Sequence, residues 1–336
     1  AALHSLSALG SLTRTLDDTG PHMCCLKNLV AVIVMLSFCL AIGDALASED
    51  PCAQINPPPP LSESEMAKHP SIPYGHGLLW KVERNSTPPS HLFGTMHSQD
   101  RLVTRLPPPV RLPLAQSDTL VMEVELDELA NQVFTESMFF ADGNTLRTLL
   151  DDGMYERLSM EIAGYGVSPD DVERLKPWAA FTVLGRPRPV NAPTQDVVLL
   201  QTALAQHKPV YGLETMQELV AAMEGLAIED QVTILIDTVC NHDVILNQTW
   251  ELLQLYLARD LAGMVAFNER PHDDEALFQR FMQRIVYDRN IRLAARMQKH
   301  LIQGDAFIAV GALHLPGERG ILRLLEEQGY RITPVF

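Results

Sequence analysis

The sequence predicts an α/β fold (α+β mixed): a central mixed sheet formed by N- and C-terminal segments, with a large helical middle. Three observations carry that reading. Apolar runs of strand length stand between residues 78 and 125, and again between 307 and 335. Roughly residues 127–292 carry helical patterning and helix-start signals instead. Of the 336 residues, 46% are hydrophobic and 20% charged, an ordinary globular composition too apolar for disorder and long enough for a sizeable core. Strands near both ends of one chain can share a core only if the sheet joins distant segments around the middle.

The first strand is Leu78-Leu79-Trp80-Lys81-Val82, closed by a Pro- and Ser-rich turn over Asn85 to Ser90. A second, His91-Leu92-Phe93, runs into Gly94-Thr95-Met96-His97, and a Pro-rich segment follows from Pro107 to Pro113. The third is Thr119-Leu120-Val121-Met122-Glu123-Val124-Glu125. Within the middle, Ser168-Pro169-Asp170-Asp171 starts a helix: Ser caps, Pro fits the first turn, and the acids oppose the dipole. Pro209 to Leu213 reads as a strand leading through Glu214 into a helix, with Thr215 and Glu218 spaced as a capping box. Phe307-Ile308-Ala309-Val310 is a buried strand ending in Gly311-Ala312-Leu313-His314. A helix, Ile321 to Glu327, and a strand, Tyr330 to Val335, close the chain.

Ahead of this domain the sequence changes character. Residues 1–22 precede Met23 and read as an upstream extension. Lys27, an uncharged run from Asn28 to Gly43 and Ala45-Leu46-Ala47 describe a signal peptide over 23–47, cleaved after Ala47. A membrane anchor needs about 20 apolar residues, more than this run supplies before Asp44, and Phe38 before Cys39 argues against lipid attachment. No stable membrane anchor is expected after cleavage, and the location is periplasmic or secreted. Residues 48–74, with Pro57 to Pro60, form an extended leader, and the domain occupies 75–336.

Of five Cys, only Cys52 and Cys240 remain after cleavage; an exported protein permits a disulfide between them, and two free thiols are equally open. The net charge is −16, with no basic run, which excludes a nucleic-acid surface built on clustered Lys and Arg.

Chemistry concentrates at strand ends. Gly94 to His97 and Gly311 to His314 are two Gly-x-x-His segments, each following a strand pattern. A strand delivers its last side chains to one sheet edge, where sites of α/β folds lie. Glu123 follows the apolar run Leu120 to Met122, and a carboxylate beside two imidazoles suits either metal ligation or activation of water. Glu125 and Glu128 fit a solvated strand end better. His76, His207, His242, His272 and His300 are expected to be solvated, and Trp178 to be a packing anchor.

These landmarks resemble the TraB/GumN family, which is related to the Tiki proteases and more remotely to ChaN and erythromycin esterase-like proteins. The resemblance rests on Leu92 to His97, Leu120 to Glu123 and Val310 to Leu315. Between and after them lie Lys176-Pro177-Trp178, Gly212-Leu213-Glu214-Thr215, Arg289-Asn290 and Gly329-Tyr330, in the expected order over about 75–336. It implies a hydrolase-like fold whose centre is His97, Glu123 and His314, with Glu214 and Arg289 in support. Arg289 would hold an anion or developing oxyanion, or else form a structural ion pair. The Tiki branch implies a divalent-metal-dependent protease, the three centre residues being the metal ligands. Two His with carboxylate suit Mn²⁺, Co²⁺ or Zn²⁺, although no His-Glu-x-x-His or Cys-x-x-Cys is present. The expected substrate is a peptide or small molecule. Two alternatives are a metal-independent esterase-like hydrolase and a non-catalytic envelope binding or assembly factor.

Overall fold

The computed structural model describes residues 52, 53, 55, 72–270, 272 and 274–336. The upstream extension, the signal peptide and Pro57 to Pro60 lie outside the described residues. The chain enters through β1 (Leu79–Glu83), β2 (Ser90–Thr95), α1 (Arg101–Thr104), α2 (Pro108–Gln116) and β3 (Thr119–Val124). The helical middle runs α3 (Glu128–Ser137), α4 (Asp152–Ala163), α5 (Pro169–Arg174), α6 (Pro177–Leu184) and α7 (Gln195–Ala205). After β4 (Val210–Glu214) come α8 (Met216–Glu224), α9 (Ile228–Cys240), α10 (His242–Leu257), α11 (Leu261–Asn268) and α12 (Glu275–Met282). A π turn, Gln283–Tyr287, joins α12 to α13 (Asp288–Gln303), and β5 (Ala306–Gly311), α14 (Ile321–Glu327) and β6 (Arg331–Pro334) complete the fold.

Local chemistry accounts for these boundaries. Ser168 Oγ accepts the Asp171 amide to start α5, and Thr215 with Glu218 forms a complete capping box at α8. The Pro-rich run 107–113 is helical: Pro107 precedes α2 as its N-cap residue, and Pro113 lies inside it. Pro108 and Pro109 occupy the first turn, where a missing N–H costs no helical bond.

The six strands are ordered β4-β3-β5-β2-β1-β6. β3 is parallel to β4 and β5, and β2 is parallel to β5; β1 is antiparallel to β2 and β6. The sheet is therefore mixed and unites distant segments, as the sequence predicts. After β3 the chain leads towards β4, whereas after β5 it leads towards β6. The connections depart in opposite directions from adjacent strands, the topology that opens a crevice at the carboxyl edge of an α/β sheet.

Two apolar clusters fill the interior. One surrounds the sheet, with Phe93, Leu120, Phe307, Leu293 and Met297 among its members. The other lies among α3 to α6, α8 and α9, around Trp178, Leu158, Ile162 and Leu235. Trp178 is indeed a packing anchor, edge-on to Phe134. Cys52 and Cys240 are bridged, with Cα atoms 5.3 Å apart, and both flank this second cluster. Among the described residues, no helix is long and apolar enough to cross a membrane.

Candidate active site

The parallel strands β4, β3, β5 and β2 deliver their carboxyl ends to one edge. Glu123 stands one residue before the end of β3, and Glu214 ends β4. His314 closes the 3₁₀ turn Ala312–His314 that follows β5, and His97 lies two residues past β2. A Cβ on Gly94 would sit 2.8 Å from Leu315 Cδ1 and 3.1 Å from Ala312 Cα. Only a bare backbone lets β2 approach the turn that carries His314.

The basic partner comes from α13. Arg289 Nε donates to Glu214 Oε2 at 2.9 Å, and its Nη2 contacts Glu123 Oε1. Its Nη1 donates to the carbonyl of Ile285, inside the π turn, at 3.1 Å. The widened turn thus supplies an acceptor that orients the guanidinium, a common use of π turns at sites. Arg292 also binds Glu214, so this fully buried carboxylate faces two arginines and acts as an anchor for Arg289.

The adjacent Asn290 fixes His314. Asn290 Nδ2 donates to the Arg319 carbonyl at 2.8 Å, which turns Oδ1 towards His314 Nδ1 at 2.6 Å. An amide oxygen only accepts, so the proton sits on Nδ1 and Nε2 carries the lone pair. That nitrogen is 3.4 Å from Arg289 Nη1 and 3.8 Å from Glu123 Oε2. Glu123 Oε2 also accepts the Gly311 amide at 3.0 Å.

Burial alone would raise the Glu123 carboxyl, but His314, Arg289 and the Gly311 N–H outweigh it and hold the group at about 2. Burial pushes the His314 imidazole below its ordinary range, and Arg289 adds to this against Glu123 and Glu214. At neutral pH Glu123 is anionic and Arg289 cationic, while burial favours the neutral form of the imidazole. A carboxylate held at about 2 is a poor base at pH 7, because an effective base has a pKa near the working pH. Glu123 is suited to be a permanent anion. The lone pair of His314 is the better base or ligand.

His97 stands apart from these contacts. Its Nδ1 is 3.1 Å from Asp196 Oδ2 at the start of α7, and its side chain is about half exposed. The edge therefore brings Glu123, Glu214, Arg289 and His314 into direct contact, while His97 is held at its rim by a residue the motifs did not mark. Asp196 reads in the sequence only as an acid in a helix's first turn. As expected, Glu125 and Glu128 are exposed. His242 and His300, by contrast, are buried: His242 lies between Glu161 at 2.8 Å and the Tyr165 hydroxyl at 2.9 Å, partners from α4 and its end that no local pattern reveals.

Among the described residues no three His, Cys, Asp or Glu side chains are grouped as a ready-made metal site. The donor chemistry nonetheless fits a borderline divalent ion. His314 and His97 each have Nδ1 engaged by a side-chain oxygen, as in ligating imidazoles, which puts the lone pair of the neutral ring on Nε2; that of His314 also faces Arg289 Nη1 at 3.4 Å. Glu123 supplies the anionic oxygen, for which Arg289 competes. Next to Glu214 lies a cleft of about 460 Å³, with Val124, Leu129, Val133 and Met216 among its apolar lining and Glu125 and Lys299 among its charged groups.

Residues 78–334 match the TraB/PrgY/gumN family. The chain belongs to that family. Similar proteins include Metalloprotease TIKI2 of Danio rerio, 25% identical over 92% of this chain and 68% of the relative. Metalloprotease TIKI homolog of Amphimedon queenslandica is 22% identical over 77% of this chain, which spans only 61% of that relative's length. Uncharacterized protein YbaP of Shigella flexneri is 25% identical over 70% of this chain and 87% of its own. No solved structure matches. Within this TraB/PrgY/gumN chain, the matched region includes both Gly-x-x-His segments, Glu123, Glu214 and Arg289.

Proposed function

We propose that this TraB/PrgY/gumN protein is an exported, periplasmic or secreted hydrolase that cleaves peptide bonds at the carboxyl edge of its sheet, with a divalent metal as cofactor. The observation that carries the reading is the tautomer of His314: Asn290 holds Nδ1, and the Nε2 lone pair faces Glu123 at 3.8 Å. The names of the Tiki relatives support a metalloprotease-like chemistry. Glu123, His314 and His97 would hold the metal, and Mn²⁺, Co²⁺ or Zn²⁺ matches such a donor set. When bound, the ion would supply Lewis-acid polarisation of the scissile carbonyl and a water of lowered pKa.

The chain's own groups have separate tasks. Glu123 stays ionised and fixes the local charge. Arg289, cationic throughout, spends its N–H groups on Glu214, Glu123, the Ile285 carbonyl and His314, and so holds the two carboxylates and the imidazole in register. The neighbouring cleft, where Val124, Leu129, Val133 and Met216 stand among charged groups, would receive substrate side chains. The ion pair between Arg289 and Glu123 favours a second reading, in which hydrolysis proceeds without metal and His314 Nε2 accepts the proton of the attacking water. Chelated and metal-supplemented protein should be assayed on peptide and ester substrates beside His97→Ala and His314→Ala. Peptide cleavage that disappears with chelator and returns with Mn²⁺ or Co²⁺ is the expected result. Cleavage untouched by chelator selects the second reading. No turnover by the wild type under any of these conditions sinks both.

A further inference from the structure

Two consecutive residues at the start of α7 hold Thr95, Met96 and His97 of the first Gly-x-x-His segment, and they divide the task. Gln195 grips backbone: its Oε1 accepts the Met96 amide at 2.9 Å and a contact from the Tyr256 hydroxyl, which also reaches the Gly94 carbonyl, both at 2.9 Å. Its Nε2 donates to the Val103 carbonyl at 2.8 Å. Gln195 is almost wholly buried. Asp196 makes its contacts with side chains alone: Oδ1 accepts from Thr95 Oγ1 at 2.9 Å, and Oδ2 faces His97 Nδ1 at 3.1 Å.

The loop's path is thus secured by Gln195, and an exposed carboxylate–imidazole contact adds little to stability. The His97 side chain is 46% exposed, so packing does not fix its ring. Both Asp196 oxygens are engaged, one by a hydroxyl that has no freedom to be replaced by the ring. In the neutral ring a carboxylate so placed accepts from Nδ1–H, and Nε2 then carries the lone pair.

We infer that Asp196 is a positioning residue for His97: it selects the Nδ1–H tautomer and aims the Nε2 lone pair at the sheet edge, as Asn290 does for His314. This deepens the proposed function and rests on His97 belonging to the centre. The two imidazoles are then equivalent in tautomer but differ in backing group, one anionic and one neutral.

The test compares wild type with Asp196→Ala, Asp196→Asn and Gln195→Ala. The His97 tautomer is read by ¹H–¹⁵N NMR of imidazole-labelled protein, and divalent binding by calorimetric titration with Co²⁺ or Mn²⁺. Wild type and Asp196→Asn should show Nδ1–H, because the Asn Oδ1 still accepts while its Nδ2 donates to Thr95. Asp196→Ala should shift His97 towards Nε2–H and weaken metal binding 10–100-fold, with an unchanged thermal midpoint. Gln195→Ala should instead lower the midpoint, through loss of its backbone contacts. If Asp196→Ala keeps the Nδ1–H form, or wild type lacks it, the inference is overturned. If wild type binds no divalent ion yet the tautomer responds to Asp196→Ala, the inference stands and the metal-dependent reading of function fails.

Discussion

Glu123 is held as an anion by groups from distant stretches of the chain, and its acidity is therefore tied to the folded state. Its pKa falls from 4.5 to about 2 on folding, so its ionised form stabilises the protein above pH 4.5, and that contribution is lost as pH drops through 2. The loss is on the order of 3 kcal/mol. His314, lowered from 6.5 by burial, acts in the same sense at higher pH: stability present above 6.5 declines as the buried imidazole is forced to accept a proton. Urea unfolding across pH 2–7 should show two descending phases, and His314→Phe should flatten the upper one. Arg289→Leu should cost about 3–5 kcal/mol in the same assay at pH 7, because Glu123 loses its guanidinium and Glu214 keeps only Arg292. Unchanged stability would show that the ion pairs carry no net weight. Strand-end position and residue type mark His97, Glu123 and His314 as candidates, and of these Glu123 and His314 lie side by side while His97 contacts Asp196. Asp196 and Asn290 were not legible as their partners, because each meets its histidine across the fold, 99 and 24 residues away, and locally reads as an ordinary helix residue.

At the scale of elements, the site depends on how closely β2 meets the turn after β5. Gly94→Ala places a methyl 2.8 Å from Leu315 Cδ1 and should cost about 1–3 kcal/mol by overpacking, read as a lowered urea midpoint. Thr215→Ala removes one half of the capping box at α8 and should cost about 1 kcal/mol. A loss near zero would mean that Arg296, which pairs with Glu218, holds that helix start unaided. Caps with side-chain oxygens were readable because the chemistry is local: Ser168, Thr215 and their acids lie within one turn. α2 was not, since composition marks prolines as breakers; Pro108 and Pro109 are compatible with a helix because they fall in its first turn, whereas Pro113 sits in its interior. The burial of His242 was equally hidden, its partners being 81 and 77 residues distant.

For the molecule as a whole, the disulfide closes a loop of 188 residues that spans the entire helical lobe. Chain entropy puts its contribution at up to about 5 kcal/mol, and Cys52→Ser with Cys240→Ser should lower the thermal midpoint accordingly. A midpoint insensitive to both substitution and reductant would exclude the staple as a stabiliser. Sheet composition was readable from apolar runs near the two ends, yet strand order was not, because alternation says which face is buried and nothing about neighbours. That order has a consequence in time. β5 lies between β2 and β3, although residues 306–311 are synthesised long after either of them. The lobe around Trp178 can condense while the chain is still emerging, but β2 and β3 wait for their shared neighbour. Glu123 meets Gly311 and His314 only when that strand arrives. A nascent chain that has not yet made β5 therefore lacks the contacts of Glu123 with Gly311 and His314, and the candidate centre is put together only when that strand is seated.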